Sequence, residues 1–289
     1  MSSVRNAQRE LRVIASGIDH PECVTWFEDR LYCGTESGSV LEINPRDGAT
    51  SLVGSTGGFI LGLTLSSAAE CIVCDYGRHE VLLMGLDGTT RVLARAAGER
   101  PLVMPNYPLI LPGGNILVSD SGTRWGSDDG FLFQIDAKTM ESSVVATDCN
   151  RFPNGLVLAP NAQSIYLVES RLPGVVQYHL IDGVPVMRRV VVELPRTVPD
   201  GLAFDTAGNL YISCWRPDRV YRLRPDGVLE VFLDDFTAEY LNSPTNICFG
   251  GMNFRTLYLA GLCGWAITAI DMDVPGIPHG PGKRHASYA

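Results

Sequence analysis

The chain has 289 residues, a net charge of −9 and a pI near 5.0. That balance argues against nucleic acid or an anionic membrane as partner, since both demand basic patches. No apolar run reaches the roughly 18 residues of a spanning helix, and residues 1–10 lack the apolar centre of a signal peptide, which points to the cytoplasm.

In chain order, the first element is a lone strand expected over residues 10–15. A phrase then begins that recurs to the end of the chain: Pro21-Glu22, Ile60-Leu61, Pro105-Asn106, Pro153-Asn154-Gly155, Pro199-Asp200-Gly201 and Pro244-Thr245-Asn246. Aligned on Glu22, Leu61, Asn106, Asn154, Asp200 and Asn246, the copies recur every 39 to 48 residues. Each copy opens a short apolar strand. A second strand follows at 30–33, 70–74, 115–118, 164–168, 209–212 and 256–259. Third strands at 40–44, 81–84, 131–135 and 220–223 lead into turns such as Asp47-Gly48, Asp87-Gly88 and Asp226-Gly227, and fourth strands follow at 50–53, 90–93, 143–145, 189–192 and 229–232. Short strands with Asp-Gly turns and no helical period indicate an all-β chain.

Four strands per unit at this period describe the blades of a six-bladed β-propeller. The sixth copy lacks a fourth strand, so strand 10–15 is expected to complete the last blade and close the ring. Residues 1–289 are expected to form one domain, with 274–289 a Pro/Gly/basic tail. Eight cysteines, mostly in apolar runs, read as free buried thiols. Cys71 and Cys74 form a CxxC, but residues three apart on a strand face opposite ways.

In a propeller the first strand of every blade lines the central channel, and all first strands run the same way. Glu22, Asn106, Asn154, Asp200 and Asn246 should therefore meet at one mouth. Two converging carboxylates repel unless a cation or proton lies between them. A donor set made only of oxygen suits Ca²⁺, Mg²⁺ or Mn²⁺ better than a structural zinc site. Leu61 leaves one side of the centre open for water and substrate, as in a catalytic metal site. Second-strand ends return to the same face with Glu36, Asp75, Asp120, Glu169 and Trp215. Asp120 is the best supporting residue among them, and the loop 121–130, with Trp125, overhangs the mouth.

The residues Pro21-Glu22, Phe152-Pro153-Asn154-Gly155, Val198-Pro199-Asp200-Gly201-Leu202 and Asn246-Ile247-Cys248-Phe249-Gly250 resemble the gluconolactonase/regucalcin (senescence marker protein) family, with diisopropylfluorophosphatase a more distant relative. The resemblance runs from about residue 10 to 273. It implies one divalent ion, Ca²⁺ first with Mn²⁺, Mg²⁺ or Zn²⁺ as options, held by Glu22, Asn154 and Asp200. It makes Asn106 a further ligand or substrate contact and Asp200 the catalytic acid/base. Where sugar-lactone hydrolases place Arg and Asp around the third-blade Asn, this chain has Met104 and Tyr107. Together with Leu61, Trp125 and Trp215 these suggest an apolar pocket. The reading is a metal-dependent hydrolase opening a lactone or related ester less polar than a sugar lactone, with a small molecule as partner. The alternatives are a phosphotriester hydrolase, a non-hydrolytic enzyme at the same ion, or a non-catalytic binding propeller with a structural ion.

Overall fold

The structure is a computed structural model and describes residues 10–278; most of the expected tail, 279–289, lies outside it. Six four-stranded antiparallel sheets form the blades of a β-propeller. Their inner strands are Pro21–Phe27, Ile60–Leu65, Pro105–Ile110, Pro153–Leu158, Val198–Phe204 and Pro244–Gly250. Each packs against the next, and Pro244–Gly250 returns to Pro21–Phe27, which closes the ring.

Burial follows from that arrangement. An inner strand such as Pro244–Gly250 is buried along its whole length, whereas the fourth strand Thr50–Ser55 is largely exposed. The core is therefore divided into six apolar clusters, each lying between two neighbouring blades. Ile72 and Val81 of blade 2, for instance, meet Val118 and Phe133 of blade 3.

The N-terminal strand Arg12–Ser16, a residue or two later than expected, pairs with Ala266–Asp271 and supplies the fourth strand of blade 6. Ala15 is buried against Val24, Cys33 and Ile267, joining the first blade to the last. A small hairpin, Ala96–Ala97 with Arg100–Pro101, links blades 2 and 3 and was not expected. Seven cysteines are free and buried, and Cys263 is free and exposed.

The feature that builds the mouth is a bulge. In every blade the ladder between first and second strands slips after its first or second residue, at Glu22, Leu61, Asn106, Asn154-Gly155, Asp200-Gly201 and Thr245. A bulged residue has no cross-strand partner, so its side chain can be turned out of the sheet and into the channel.

Candidate metal centre at the mouth of the ring

The bulged side chains surround a cavity of about 220 Å³ that Glu22, Leu61, Asn106, Asn154, Asp200 and Thr245 all line. Each comes from a different blade, so the six copies of one local irregularity make one site. The blade 6 member is Thr245, not Asn246 as the sequence alignment expected. Aligning on the oxygen-bearing residue rather than on the preceding proline shifts the register by one, and one step along a strand reverses the side chain. Asn246 instead accepts a hydrogen bond from the Val24 amide at 3.2 Å.

Tyr107 also lies away from the cavity. It follows the bulge, is 4% exposed, and its hydroxyl faces Asn246 of the opposite blade. Asp120 is fully buried, with Oδ2 accepting from Val103 N at 2.9 Å and Oδ1 from Met104 N and Gly122 N, both at 3.0 Å. It fixes the backbone just ahead of Asn106 and does not line the cavity. Asp75 does the same in blade 2, accepting from Phe59 N and Arg78 N, and Glu169 holds Arg188. Asp75 and Asp120 are thus loop supports and Glu169 an ion-pair partner; of the expected second-strand set only Trp215 lines the cavity.

Met104 and Trp125 line it as expected, joined by four residues that the sequence did not single out: Phe59, Tyr76, Phe152 and Leu262. Trp125 and Phe152 pack with ring centroids 4.9 Å apart. Ser170 was also missed; it lines the cavity and accepts from Asn154 Nδ2 at 3.2 Å, as Ser121 accepts from Asn106 Nδ2 at 2.9 Å. His20 packs on Trp265 and bonds to Asp19, outside the cavity. A larger cavity, about 1030 Å³, has Leu111, Val157, Phe204 and Ile277 in its wall and, among the described residues, brings no pair of carboxylates together. Volume alone does not locate chemistry.

Electrostatics single out the smaller cavity. Burial pushes Glu22 well above the usual carboxylate range, and the charges of Asp200 and Glu36 push it further. Burial pushes Asp200 up to about 8, partly offset by the Asn154 amide. Glu22 Oε2 is buried with no hydrogen-bond partner. Two carboxylates in this state lack a compensating positive charge. The described residues contain no cluster of three His, Cys, Asp or Glu side chains able to hold a metal; the bulged side chains that carry oxygen here are two carboxylates, two amides and one hydroxyl. Such all-oxygen sets fit a hard divalent cation, and the unpaired Glu22 oxygen is the observation that favours one.

The sequence matches the SMP-30/Gluconolactonase/LRE-like region over residues 20–261. It is 28% identical to a 6-deoxy-6-sulfogluconolactonase of Pseudomonas putida, covering 88% of this chain and 92% of that protein. A pentonolactonase of Haloferax volcanii is 26% identical, with 90% and 84% covered. Among solved structures, a gluconolactonase from Xanthomonas campestris superposes with a TM-score of 0.80 at 19% identity, over 93% of this chain and 91% of that one. A calcium-binding protein, regucalcin, from Agrobacterium tumefaciens gives 0.79 at 15%, over 96% and 98%. With the match spanning all six inner strands, the chain belongs to the SMP-30/gluconolactonase/LRE-like family.

Proposed function

We propose that this protein is a divalent-metal-dependent hydrolase that opens a neutral, largely apolar lactone or related ester. Membership of the family and the relatives named as lactonases support the reaction class. The observation that carries the metal is the convergence of Glu22 and Asp200 with Asn106 and Asn154 around a buried, unpaired Glu22 oxygen. When bound there, a divalent ion supplies Lewis-acid polarisation of the ester carbonyl. Asp200 orients the attacking water and takes its proton, Glu22 supplies the second negative charge, and Leu61 leaves one side of the centre free for substrate.

Chelation should lower the melting temperature, and a restored divalent ion should raise it. At a hundredfold excess over its Kd an ion stabilises by about 2.7 kcal/mol. The pH dependence has a definite sign. Metal-free, the folded protein keeps protons on Glu22 and Asp200 that the unfolded chain releases near pH 4. This pair's contribution to metal-free stability is therefore fullest in acid and is lost as pH rises toward about 8. A cation displaces those protons, so its stabilising increment should grow across the same window. Melts at several pH values, with chelator or with Ca²⁺, decide this; a melting temperature indifferent to chelator at pH 8 would remove the metal from the proposal.

The wall argues for the substrate. Phe59, Tyr76, Met104, Trp125, Phe152 and Trp215 line the cavity, and among the described residues no Lys, Arg or His does. A sulfonate, as in the name of the Pseudomonas relative, would meet no counter-charge there. The volume is below the roughly 300–1,000 Å³ of drug-sized sites, which suits a one- or two-ring molecule. Burying a phenyl-sized group is worth about 1.5–3 kcal/mol. A benzo-fused lactone such as dihydrocoumarin should therefore exceed glucono-1,5-lactone by about 10–100-fold in kcat/KM. A pH-indicator assay that finds gluconolactone the better substrate would refute the apolar reading while leaving the hydrolase in place.

A further inference from the structure

The second-strand residue that follows the cross-strand partner of the residue just ahead of each bulge sits beside the bulged residue of its own blade. In order around the ring these residues are Glu36, Tyr76, Ser121, Ser170, Trp215 and Leu262. Serine occurs at two of the six places, blades 3 and 4, and those are the two blades whose bulged residue is an amide.

The hydrogen bonding gives the reason. Ser121 Oγ lies 2.7 Å from Pro153 O, and Ser170 Oγ lies 2.8 Å from Pro199 O. A carbonyl oxygen only accepts, so each serine must spend its single hydrogen there. Toward its asparagine each hydroxyl is then left as an acceptor, and only the NH₂ end of the amide can face it. Asn106 Nδ2 and Asn154 Nδ2 do so at 2.9 Å and 3.2 Å. Both serines are buried, at 0% and 2% exposure, so water does not compete for these bonds. The opposite end of each amide, Oδ1, is thereby turned away from the serine. At Glu22 and Asp200 no such choice arises, because the two oxygens of a carboxylate are equivalent, and no serine is found.

We propose that Ser121 and Ser170 are positioning residues, each donating its hydrogen to a carbonyl of the next blade, that lock Asn106 and Asn154 with Oδ1 toward the shared centre. The proposal rests on that centre being a cation site. Partners one step removed from a metal typically contribute about 10–100-fold in affinity.

Calorimetric titration of Ca²⁺ into the full-length protein tests it. Ser170→Ala should weaken binding about 10–100-fold, while Ser170→Thr, which keeps the hydroxyl, should stay near wild type. In an Asn154→Asp background, where no amide needs orienting, Ser170→Ala should add no further loss. An equal loss in both backgrounds, or no loss in the first, overturns the clamp. A second readout does not depend on metal. The Asn154 side-chain NH₂ protons of metal-free wild type should exchange slowly with solvent by NMR, and Ser170→Ala should speed them. If wild type binds no ion, the cation site falls, but faster amide exchange in Ser170→Ala still supports the lock and unchanged exchange overturns it.

Discussion

A chain shortened to begin at Gly17 should melt about 6–12 °C lower than the full-length protein. Truncation removes the strand Arg12–Ser16, which pairs with Ala266–Asp271 and carries Ile14 and Ala15 into the seam between blades 1 and 6. Leu11, just ahead of it, packs on the seam between blades 5 and 6. A buried aliphatic side chain contributes about 1.5–3 kcal/mol, so two half-buried ones and an alanine together amount to about 3 kcal/mol. At this size each kcal/mol moves the midpoint by about 2–4 °C. Truncation also bares the edge of Ala266–Asp271, so aggregation on heating should increase. Arg12→Ala is the control. It breaks only an exposed ion pair to Asp271, 2.8 Å long, and should change stability by less than about 1 kcal/mol. Equal effects from both changes would mean that the strand does not fasten the ring.

Most of the fold could be read from the sequence because one local device recurs six times: a residue, usually proline, followed by a bulged side chain, in four copies a Glu, Asn or Asp that strands disfavour. The same device explains the error in blade 6. The bulge re-aims the residue directly after Pro244, which is Thr245, and this rule places all five oxygen-bearing members without exception. Matching by chemical likeness selected Asn246 instead. Asp120 reads from the sequence as a supporting residue, but only tertiary structure reveals the three backbone N–H groups from which it accepts. The aromatic wall was only partly visible. Phe152 reaches the cavity from a backbone with φ of 61°, a left-handed conformation that bulky residues disfavour. The serines were legible in principle, since Ser121 follows Asp120 as Ser170 follows Glu169, but their role depends on carbonyls supplied by neighbouring blades.

The largest functional effect should come from Asp200, and a paired comparison with Glu22 separates proton transfer from cation binding. Both carboxylates line the cavity and burial raises both, yet only Asp200 is proposed to take a proton from water. Asp200→Asn keeps an oxygen donor and the side-chain shape but cannot accept that proton. Positioned bases contribute about 10²–10⁴-fold, so turnover should fall by that factor and remain low at saturating metal. Glu22→Gln should lose mainly metal affinity, so that high metal restores much of the rate. Stability supplies an internal check. Removing one of two like charges relieves their repulsion, so metal-free Asp200→Asn should melt no lower than wild type at pH 8. An inactive Asp200→Asn that has also lost stability would be a damaged fold, and its kinetics would say nothing about a base. If saturating metal rescues both variants equally, Asp200 acts only in holding the cation. Asp120 is locked on backbone amides, so Glu36, whose charge acts on Glu22, is the next carboxylate to replace.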